Sequence, residues 1–434
     1  MNDRSNDSTE PPPRRREIAA WALFDFANSS FTTVVTTVVF GVYFSKVICD
    51  DRSVAEGAAL WSRCAAISNL FILLTAPLVG AIADRARGKK RFLFASYVLC
   101  VGATAALFFC RSGDIALAMS LYVAANIAFS TGENLVAGFL PDLAKAEDMG
   151  RISSLGWASG YAGGLASLAF CLPLALAKNA DGSSNDMAIR ATNLVVAAFF
   201  LAGGLPTFLF VRERGKRGVE APLGAAFFQG FRQLSRTWRE RRKHRQMGRF
   251  LLAYVVFNIG IYGVINFAGI YAEQLYRFEM DAVIKIFMVT QLTAGAGALL
   301  AGRVSAKYGC ARTLGWTLWL WVACCIPVLV SRHPAAYWIT ALFAGLAMGS
   351  SLPSARALVG RFTPAGRGGE FFGLWGQFAR LAVIVGSLGH ELVLRASGNR
   401  LEAGILFFGA TFIVGRLLLT RVDESAGVDE ARRA

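Results

Sequence analysis

Residues 18–48 read IAAWALFDFANSSFTTVVTTVVFGVYFSKVI, an apolar stretch that contains a single carboxylate, Asp25. About 20 apolar residues suffice for a helix to cross a bilayer, so this stretch predicts a membrane-spanning helix. A charged side chain at the centre of such a helix costs roughly 2.5–3.5 kcal/mol on insertion scales. The sequence therefore predicts that Asp25 is a site residue, which is either compensated by a partner or required for function.

The composition extends this conclusion from one stretch to the whole chain. Of its 434 residues, 55% are hydrophobic and 17% are charged, and the mean hydropathy is +0.46. Soluble globular proteins carry about a quarter charged residues, so these values indicate an integral membrane protein. The net charge of +16 does not indicate a nucleic-acid partner, because the basic residues cluster in short loops between apolar spans.

Apolar runs separated by charged interruptions predict an all-α membrane protein with about twelve spanning helices. The predicted spans are 18–48, 58–83, 92–110, 115–140, 153–177, 190–211, 249–272, 282–306, 313–331, 335–360, 371–394 and 402–420. The predicted organisation is an N-terminal tail at 1–17, a six-helix bundle at 18–211, a linker at 212–248, a second six-helix bundle at 249–421 and a tail at 422–434. In the fifth span Gly156, Gly160 and Gly164 fall four apart, which predicts close packing against another helix.

The charged loops predict the orientation. Basic clusters such as Arg14–Arg16 and residues 85–91 lie on one side of the spans, whereas the opposite loops are poor in basic residues or balanced. The positive-inside rule then places both termini in the cytoplasm, with the spans in the plasma (inner) membrane. The linker at 212–248 interleaves basic with aromatic residues and predicts an amphipathic helix on the membrane surface, which serves as a simple connection or as a regulated lipid contact.

One loop pattern occurs in each half, after the second and the eighth spans. The first copy places Asp84, Arg85 and Arg87 between two glycines, and the second has Ala306 at the acidic position. This pattern resembles the loop signature of the major facilitator superfamily, which implies two pseudo-symmetric six-helix bundles and a gate that clamps neighbouring helix ends. We expect Asp84 to meet the N-terminus of the eleventh helix near Phe371, because N–H groups there favour negative charge. The alternative is that the basic residues only set the orientation.

Four further motifs resemble the vacuole-effluxer-like branch of that superfamily. They are Trp21–Ser29, Phe139–Ala144, Met149–Gly164 and Glu370–Leu374. The branch is named for a yeast autophagy-related amino-acid effluxer, so the resemblance implies secondary transport of an amino acid or a similar metabolite. This chain departs from the branch in two places. It lacks an acidic residue beside Asn258, and it keeps only Arg356 of a polar run in the tenth span.

Polar residues inside the predicted spans are the candidate substrate and coupling sites. They are Asp25, Asn28, Glu133, Asn258, Arg356 and Arg380. Asp25 is expected to meet Glu133 or Arg356 across a central cavity. In the functional interpretation Asp25 or Glu133 carries a proton and Arg380 anchors an anionic substrate group. In the structural alternative these charges pair to hold helices together, and Asn258 bonds across helices.

The sequence argues against other classes of function. It contains no Gly-rich phosphate loop with its lysine, which argues against ATP-driven transport. An enzyme would need a nucleophile with its base or a triad of metal ligands, and the sequence shows neither pattern. We therefore expect a monomer in the lipid bilayer, with no cofactor and no nucleic-acid partner, that transports a small polar metabolite with protons as the candidate coupling ion. The alternatives are a transporter of lysophospholipids or cell-wall fragments, and a non-transporting sensor or scaffold.

Overall fold

The structure is a computed structural model that describes residues 14–85, 88–179, 181, 184–214, 223–240 and 242–434. Within these ranges, twelve helical segments are long and apolar enough to cross a membrane. The described chain is otherwise helical or irregular, apart from one isolated β-bridge between Lys178 and Ser184. The predicted fold class, an all-α membrane protein of two six-helix bundles, is confirmed.

The first bundle contains the helices up to residue 210. They are α1 (Arg15–Ser30), α2 (Phe40–Tyr43), α3 (Val54–Arg85), α4 (Lys89–Ala106), α5 (Ile115–Ala137), α6 (Leu140–Leu143), α7 (Met149–Ala175) and α8 (Asp186–Phe210). The first span joins α1 and α2 and runs on to Ile48, and α6 is a single turn after α5. The six spans of this bundle are therefore α1–α2, α3, α4, α5, α7 and α8.

The second bundle follows a linker helix. These helices are α9 (Leu223–Arg239), α10 (Arg245–Tyr276), α11 (Met280–Tyr308), α12 (Cys310–Val330), α13 (Pro334–Arg361), α14 (Gly368–Ala396), α15 (Leu401–Leu419) and α16 (Glu424–Arg433). The linker helix is α9, and α16 forms where the sequence predicted a tail. The Glu424 carboxylate accepts hydrogen bonds from the backbone N–H groups of Cys310 and Ala311, at 3.0 and 2.9 Å, so α16 is attached to the N-terminus of α12.

The first span is not a regular α-helix along its whole length. π-Helical turns at Phe31–Val38 and Phe44–Ile48 flank the short α2. The first of these segments, FTTVVTTV, is rich in β-branched residues, whose crowded Cβ atoms weaken the preference for a regular α-helix. Wider turns of this kind occur often at functional sites. Here they carry threonines, among them Thr33 and Thr37, that line the central cavity.

Glycines on α7 bring this helix unusually close to α1. A Cβ atom at Gly163 would lie 1.8 Å from the Phe26 carbonyl oxygen, and one at Gly160 would lie 2.9 Å from Ser29 Oγ. Only a residue without a side chain permits such an approach. The close packing predicted from the glycine spacing is therefore present, and Gly163, outside the four-residue pattern, is its tightest point.

Both ends of the described chain lie on the same end of the bundle, which we call the termini face. The two bundles are in close contact there. A Cβ atom at Gly80 of α3 would lie 1.9 Å from the Gly369 carbonyl oxygen of α14, and one at Gly150 of α7 would lie 2.3 Å from Ser305 Oγ of α11. The seam between the bundles is therefore closed at the termini face.

Replacing Gly163 by alanine is expected to destabilise the first bundle, because the new methyl group would overlap the Phe26 carbonyl oxygen. Overpacking of this kind typically costs about 1–3 kcal/mol, so the melting temperature of the purified protein should fall. Gly102→Ala is the matched control, since Gly102 is an exposed residue within α4 with open space around its Cβ position. Equal melting temperatures for the two variants would contradict the proposed close contact.

Candidate functional site

A cavity of about 290 Å³ lies between the two bundles, beyond the closed seam. Five of the six candidate residues line it, and these are Asp25, Asn28, Glu133, Arg356 and Arg380. Aromatic side chains form much of the remaining wall, and these are Phe129, Trp157, Tyr161, Tyr262 and Phe287. The cavity is thus a small chamber that combines aromatic side chains with charged groups from both bundles, a combination that is common in small-molecule sites.

Asp25 and Arg356 form a buried ion pair across the seam. Arg356 Nη1 donates to Asp25 Oδ2 at 2.7 Å, and the two side chains are 4% and 10% exposed. Asp25 belongs to α1 of the first bundle and Arg356 to α13 of the second. Of the two partners expected for Asp25, the structure selects Arg356.

Arg356 is held on every side of its guanidinium group. Nε donates to Ser153 Oγ at 3.1 Å, and Nη2 donates to the Ser153 carbonyl oxygen at 2.8 Å. The guanidinium carbon lies 4.7 Å from the ring centroid of Trp21 and 5.5 Å from that of Trp157, which gives two cation–π contacts. Sequence reasoning missed both tryptophans, because an aromatic residue in an apolar span has no signal that separates it from packing.

Gly156 provides the space in which this ion pair sits. A Cβ atom there would lie 2.5 Å from both Arg356 Nη2 and Asp25 Oδ2. The glycine therefore serves the ion pair as well as helix packing, and the pair forms the floor of the cavity on the side of the termini face.

Arg380 and Glu133 are the remaining charges of the cavity, and they come from different bundles. Arg380 on α14 donates from Nη2 to Ser130 Oγ on α5 at 2.9 Å. Glu133 lies one turn further along α5, the helix that Arg380 contacts. Among the described residues Glu133 has no ion-pair partner within 4.0 Å. The cavity thus presents one guanidinium group and one carboxyl group that form no direct ion pair among the described residues.

Several polar atoms on cavity-lining side chains have no hydrogen-bond partner within the described part of the chain. They are Asn28 Oδ1, Trp157 Nε1 and Tyr161 Oη. Leaving a buried polar group unpaired costs about 1–3 kcal/mol, so such groups call for an explanation. Their position on one small cavity suggests that they serve a ligand, and neither Trp157 nor Tyr161 was among the sequence candidates.

Asn258 is the one candidate that does not line the cavity. Its side chain is fully buried, and Nδ2 donates to the Tyr254 carbonyl oxygen one turn earlier in α10 at 2.9 Å. The neighbouring residues Phe257 and Gly260 pack against Gly415 and Phe412 of α15. This part of α10 therefore faces the interior of its own bundle, away from the cavity. The hydrogen bond that Asn258 donates stays within α10, so the expected alternative, a bond across helices, is not observed among the described residues either.

Asp84 meets the N-terminus of α14. Its carboxylate accepts hydrogen bonds from the backbone N–H groups of Gly369 and Glu370, at 2.9 and 2.8 Å, where the helix dipole also favours negative charge. Lys89 Nζ lies 3.9 Å from Asp84 and 3.0 Å from Asp142. This is the contact expected from the sequence, with α14 beginning at Gly368 rather than near Phe371. A gating role for Asp84 stays a prediction.

The linker helix α9 takes part in the same closure. Gln233 and Thr237 of α9 donate to the two carboxylate oxygens of Glu370, which is fully buried and also paired with Arg367 at 2.9 Å. Arg85 donates to the side-chain oxygen of Gln233. A helix is thus present within the predicted linker, and its polar residues bind the end of α14. Its placement on the membrane surface stays a prediction. Arg87, the third gate candidate, lies outside the described residues.

His244, immediately before α10, adds an aromatic contact to this region. Its ring packs edge-on against Phe371, with 5.1 Å between the centroids. Burial and the nearby Arg367 guanidinium lower the pKa of His244 below its usual range. The imidazole is therefore neutral at physiological pH and packs as part of the closed face.

The fold is that of known solute transporters. The crystal structure of the human organic anion transporter MFSD10 (TETRAN) matches 94% of this chain and 100% of its own, with a TM-score of 0.75 and 16% identity. The proton:xylose symporter XylE matches 94% of this chain and 95% of its own, with a TM-score of 0.67 and 12% identity. A bacterial homologue of the iron transporter ferroportin in an outward-facing state matches 94% of this chain and 99% of its own, with a TM-score of 0.69 and 11% identity. These matches show that the chain shares the helical fold of these solved transporters.

Sequence comparison assigns the branch. The family model described as "Vacuole effluxer Atg22 like" matches residues 56–432, and the chain belongs to this family. The uncharacterized MFS-type transporter YxiO of Bacillus subtilis (strain 168) is 24% identical over 418 residues, 95% of this chain and 96% of its own. Autophagy-related protein 22 of Cryptococcus neoformans is 24% identical over 198 residues, 42% of this chain and 36% of its own. The resemblance seen in the sequence motifs is confirmed.

The Asp25–Arg356 pair is expected to be strongly coupled. Removing one partner of a buried ion pair typically costs about 3–5 kcal/mol, because the other charge stays buried without compensation. Asp25→Asn and Arg356→Met should therefore each lower the free energy of unfolding in detergent, and the double variant should lose clearly less than the sum of the two.

The exposed pair Glu391–Arg395 on α14 supplies the matched control. The Glu391 side chain is 54% exposed and the Arg395 side chain 75% exposed. Glu391→Gln, Arg395→Met and the double variant should therefore each change the free energy of unfolding by about 1 kcal/mol or less. Additive losses for Asp25→Asn and Arg356→Met would show that the two residues act independently.

Proposed function

We propose that this protein is a secondary active transporter that moves a small zwitterionic metabolite, such as an amino acid, by alternating access. The single observation that carries this proposal is the composition of the central cavity. Asp25 and Arg356 neutralise each other, which leaves Arg380 of the second bundle and Glu133 of the first bundle as charged groups without an ion pair of their own. A ligand with a carboxylate and an ammonium group complements both.

The size of the cavity supports a small ligand. At about 290 Å³ it lies just below the roughly 300–1,000 Å³ found for small-molecule sites. This volume suits an amino acid better than a lysophospholipid or a cell-wall fragment. The aromatic wall offers packing for the rest of the metabolite, and the unpaired polar atoms of Asn28, Trp157 and Tyr161 offer hydrogen bonds.

The distribution of contacts supports alternating access. The bundles are joined at the termini face by Asp84 with α14 and by the Asp25–Arg356 pair, whereas the cavity lies further along the seam. We place the termini face on the cytoplasmic side of the inner membrane, because the basic loops lie on that face. In this orientation the closed side of the seam is the cytoplasmic side, as one of the two end states of alternating access requires.

Arg380 is expected to decide substrate binding. Amino acids should raise the melting temperature of the purified protein in proportion to binding, and they should exchange across liposomes that contain it. A hydrogen bond to a charged group is worth about 1.5–3 kcal/mol, so Arg380→Gln should weaken binding roughly tenfold to a hundredfold.

Arg395→Gln is the control for this variant, because Arg395 is an exposed residue on the same helix with a surface partner. It should bind and transport as the native protein does. If no amino acid stabilises the native protein and none crosses the liposome membrane, the zwitterion proposal is wrong, and a non-transporting sensor or scaffold gains support.

Glu133 is proposed to carry the coupling proton. A carboxylate that releases its proton on one side and takes it up on the other makes transport depend on pH, and a glutamine cannot do so. Transport by Glu133→Gln should therefore be insensitive to pH, whereas the exposed control Glu391→Gln should keep the native pH dependence. Unchanged pH dependence in Glu133→Gln would remove Glu133 from the coupling mechanism.

A further inference from the structure

A second cavity, of about 970 Å³, opens on the outside of the bundle near the termini face. It is a groove formed by α1, α7 and α11. Three exposed arginines line it, Arg15, Arg151 and Arg303, together with one carboxylate, Asp148. The lining thus carries a net charge of +2 (three positive, one negative). Within the described chain, none of the three guanidinium groups has a side-chain partner of its own.

The groove changes from charged to apolar along its length. Leu155 and Leu299 line its inner part, and they are 43% and 48% exposed. Leu155 lies six residues into α7, and Leu299 lies nine residues before the end of α11. At 1.5 Å per residue, these leucines sit about 9 and 14 Å from the helix ends that carry the arginines. By the same measure Arg151 lies about 3 Å and Arg303 about 8 Å from those ends, so each leucine lies about 6 Å deeper than the arginine on its own helix.

The two walls of the groove belong to different bundles. Arg151 is on α7 of the first bundle and Arg303 is on α11 of the second, and the helices touch at Gly302, where a Cβ atom would lie 2.9 Å from Ser154 Cβ. Two exposed positive charges on opposite sides of one closed seam repel each other. An anion between them would remove this repulsion and hold the walls together.

We propose that this groove binds one anionic phospholipid from the leaflet beside the termini face. Its phosphate lies among Arg15, Arg151 and Arg303, and an acyl chain follows Leu155 and Leu299. Because the lipid contacts both bundles only while the seam is closed, it stabilises the state that is closed at the termini face. This proposal does not depend on the identity of the transported substrate.

The test uses delipidated full-length protein in detergent, titrated with dioleoylphosphatidylglycerol and followed by its melting temperature and by native mass spectrometry. Dioleoylphosphatidylcholine, which has the same chains and no net charge, and inorganic phosphate are the comparison ligands. Phosphatidylglycerol should raise the melting temperature and remain bound as a one-to-one complex, and the two comparison ligands should not.

Variants of the arginines should weaken this binding in a graded way. A basic side chain near anionic lipid contributes about 1 kcal/mol, which corresponds to about fivefold in affinity. Arg151→Gln and Arg303→Gln should each weaken phosphatidylglycerol binding about fivefold. Arg91→Gln, at an exposed position at the start of α4, should leave it unchanged. Without lipid, all three variants should melt close to the native protein, because these side chains are exposed.

Three results would overturn the proposal. Equal stabilisation by phosphatidylcholine would show that the groove has no preference for an anionic headgroup. Equal stabilisation by inorganic phosphate would indicate a site for a soluble anion rather than a lipid. An equal loss of phosphatidylglycerol binding in Arg91→Gln would show that the lipid is attracted to basic residues in general and not to this groove. If one groove variant does not fold, the other carries the same comparison, since Arg151 and Arg303 lie on separate helices.

Discussion

The buried ion pair between Asp25 and Arg356 is the constraint on which the rest of the structure depends. Removing two charges from water costs several kcal/mol for each ion, and this is recovered only when geometry and hydrogen bonding are nearly complete. Here the pair meets that condition, because Ser153 accepts from the remaining N–H groups and two tryptophan rings cover the guanidinium faces. Since the partners belong to different bundles, the pair is complete only while the seam is closed.

In the proposed transport cycle, such a pair would make the seam switch between two states rather than deform gradually. A partial separation would leave both charges away from each other and still away from water, which is the most costly arrangement. A full separation lets water reach both. The polar contacts of Asp84 with α14 and of Glu370 with α9 follow the same logic, since each can exchange a protein partner for water when the termini face opens. Closure is thus distributed over several polar clusters that hydration can replace.

Sequence reasoning reached the spans and the loop contacts more fully than it reached the site. Hydropathy determines which segments cross a membrane, and a loop acid near a helix N-terminus has a physical preference that can be stated in advance, as for Asp84. Sequence reasoning could not choose between Glu133 and Arg356 as the partner of Asp25, because that choice depends on how helices of the two bundles face each other. Asn28 and Asn258 look equivalent in the sequence, yet one lines the cavity and the other faces the interior of its own bundle. The helix α16 was missed because its polar sequence lacks an apolar face, and its placement relies on Glu424 binding the end of α12.

In the proposed transport cycle, the remaining cavity charges would connect ligand binding to the movement of the bundles. Arg380 belongs to α14 and Glu133 to α5, so a zwitterion that contacts both is held by one group from each bundle. A ligand changes the balance between two states only when it binds them with different affinity. A metabolite with one charge could be bound by one wall alone and would move with it, with no preference between states. A zwitterion of the right length gains its second contact only when the walls are at the matching separation. The placement of the two charges on opposite bundles, more than their presence in the cavity, is what suits them to a transport cycle.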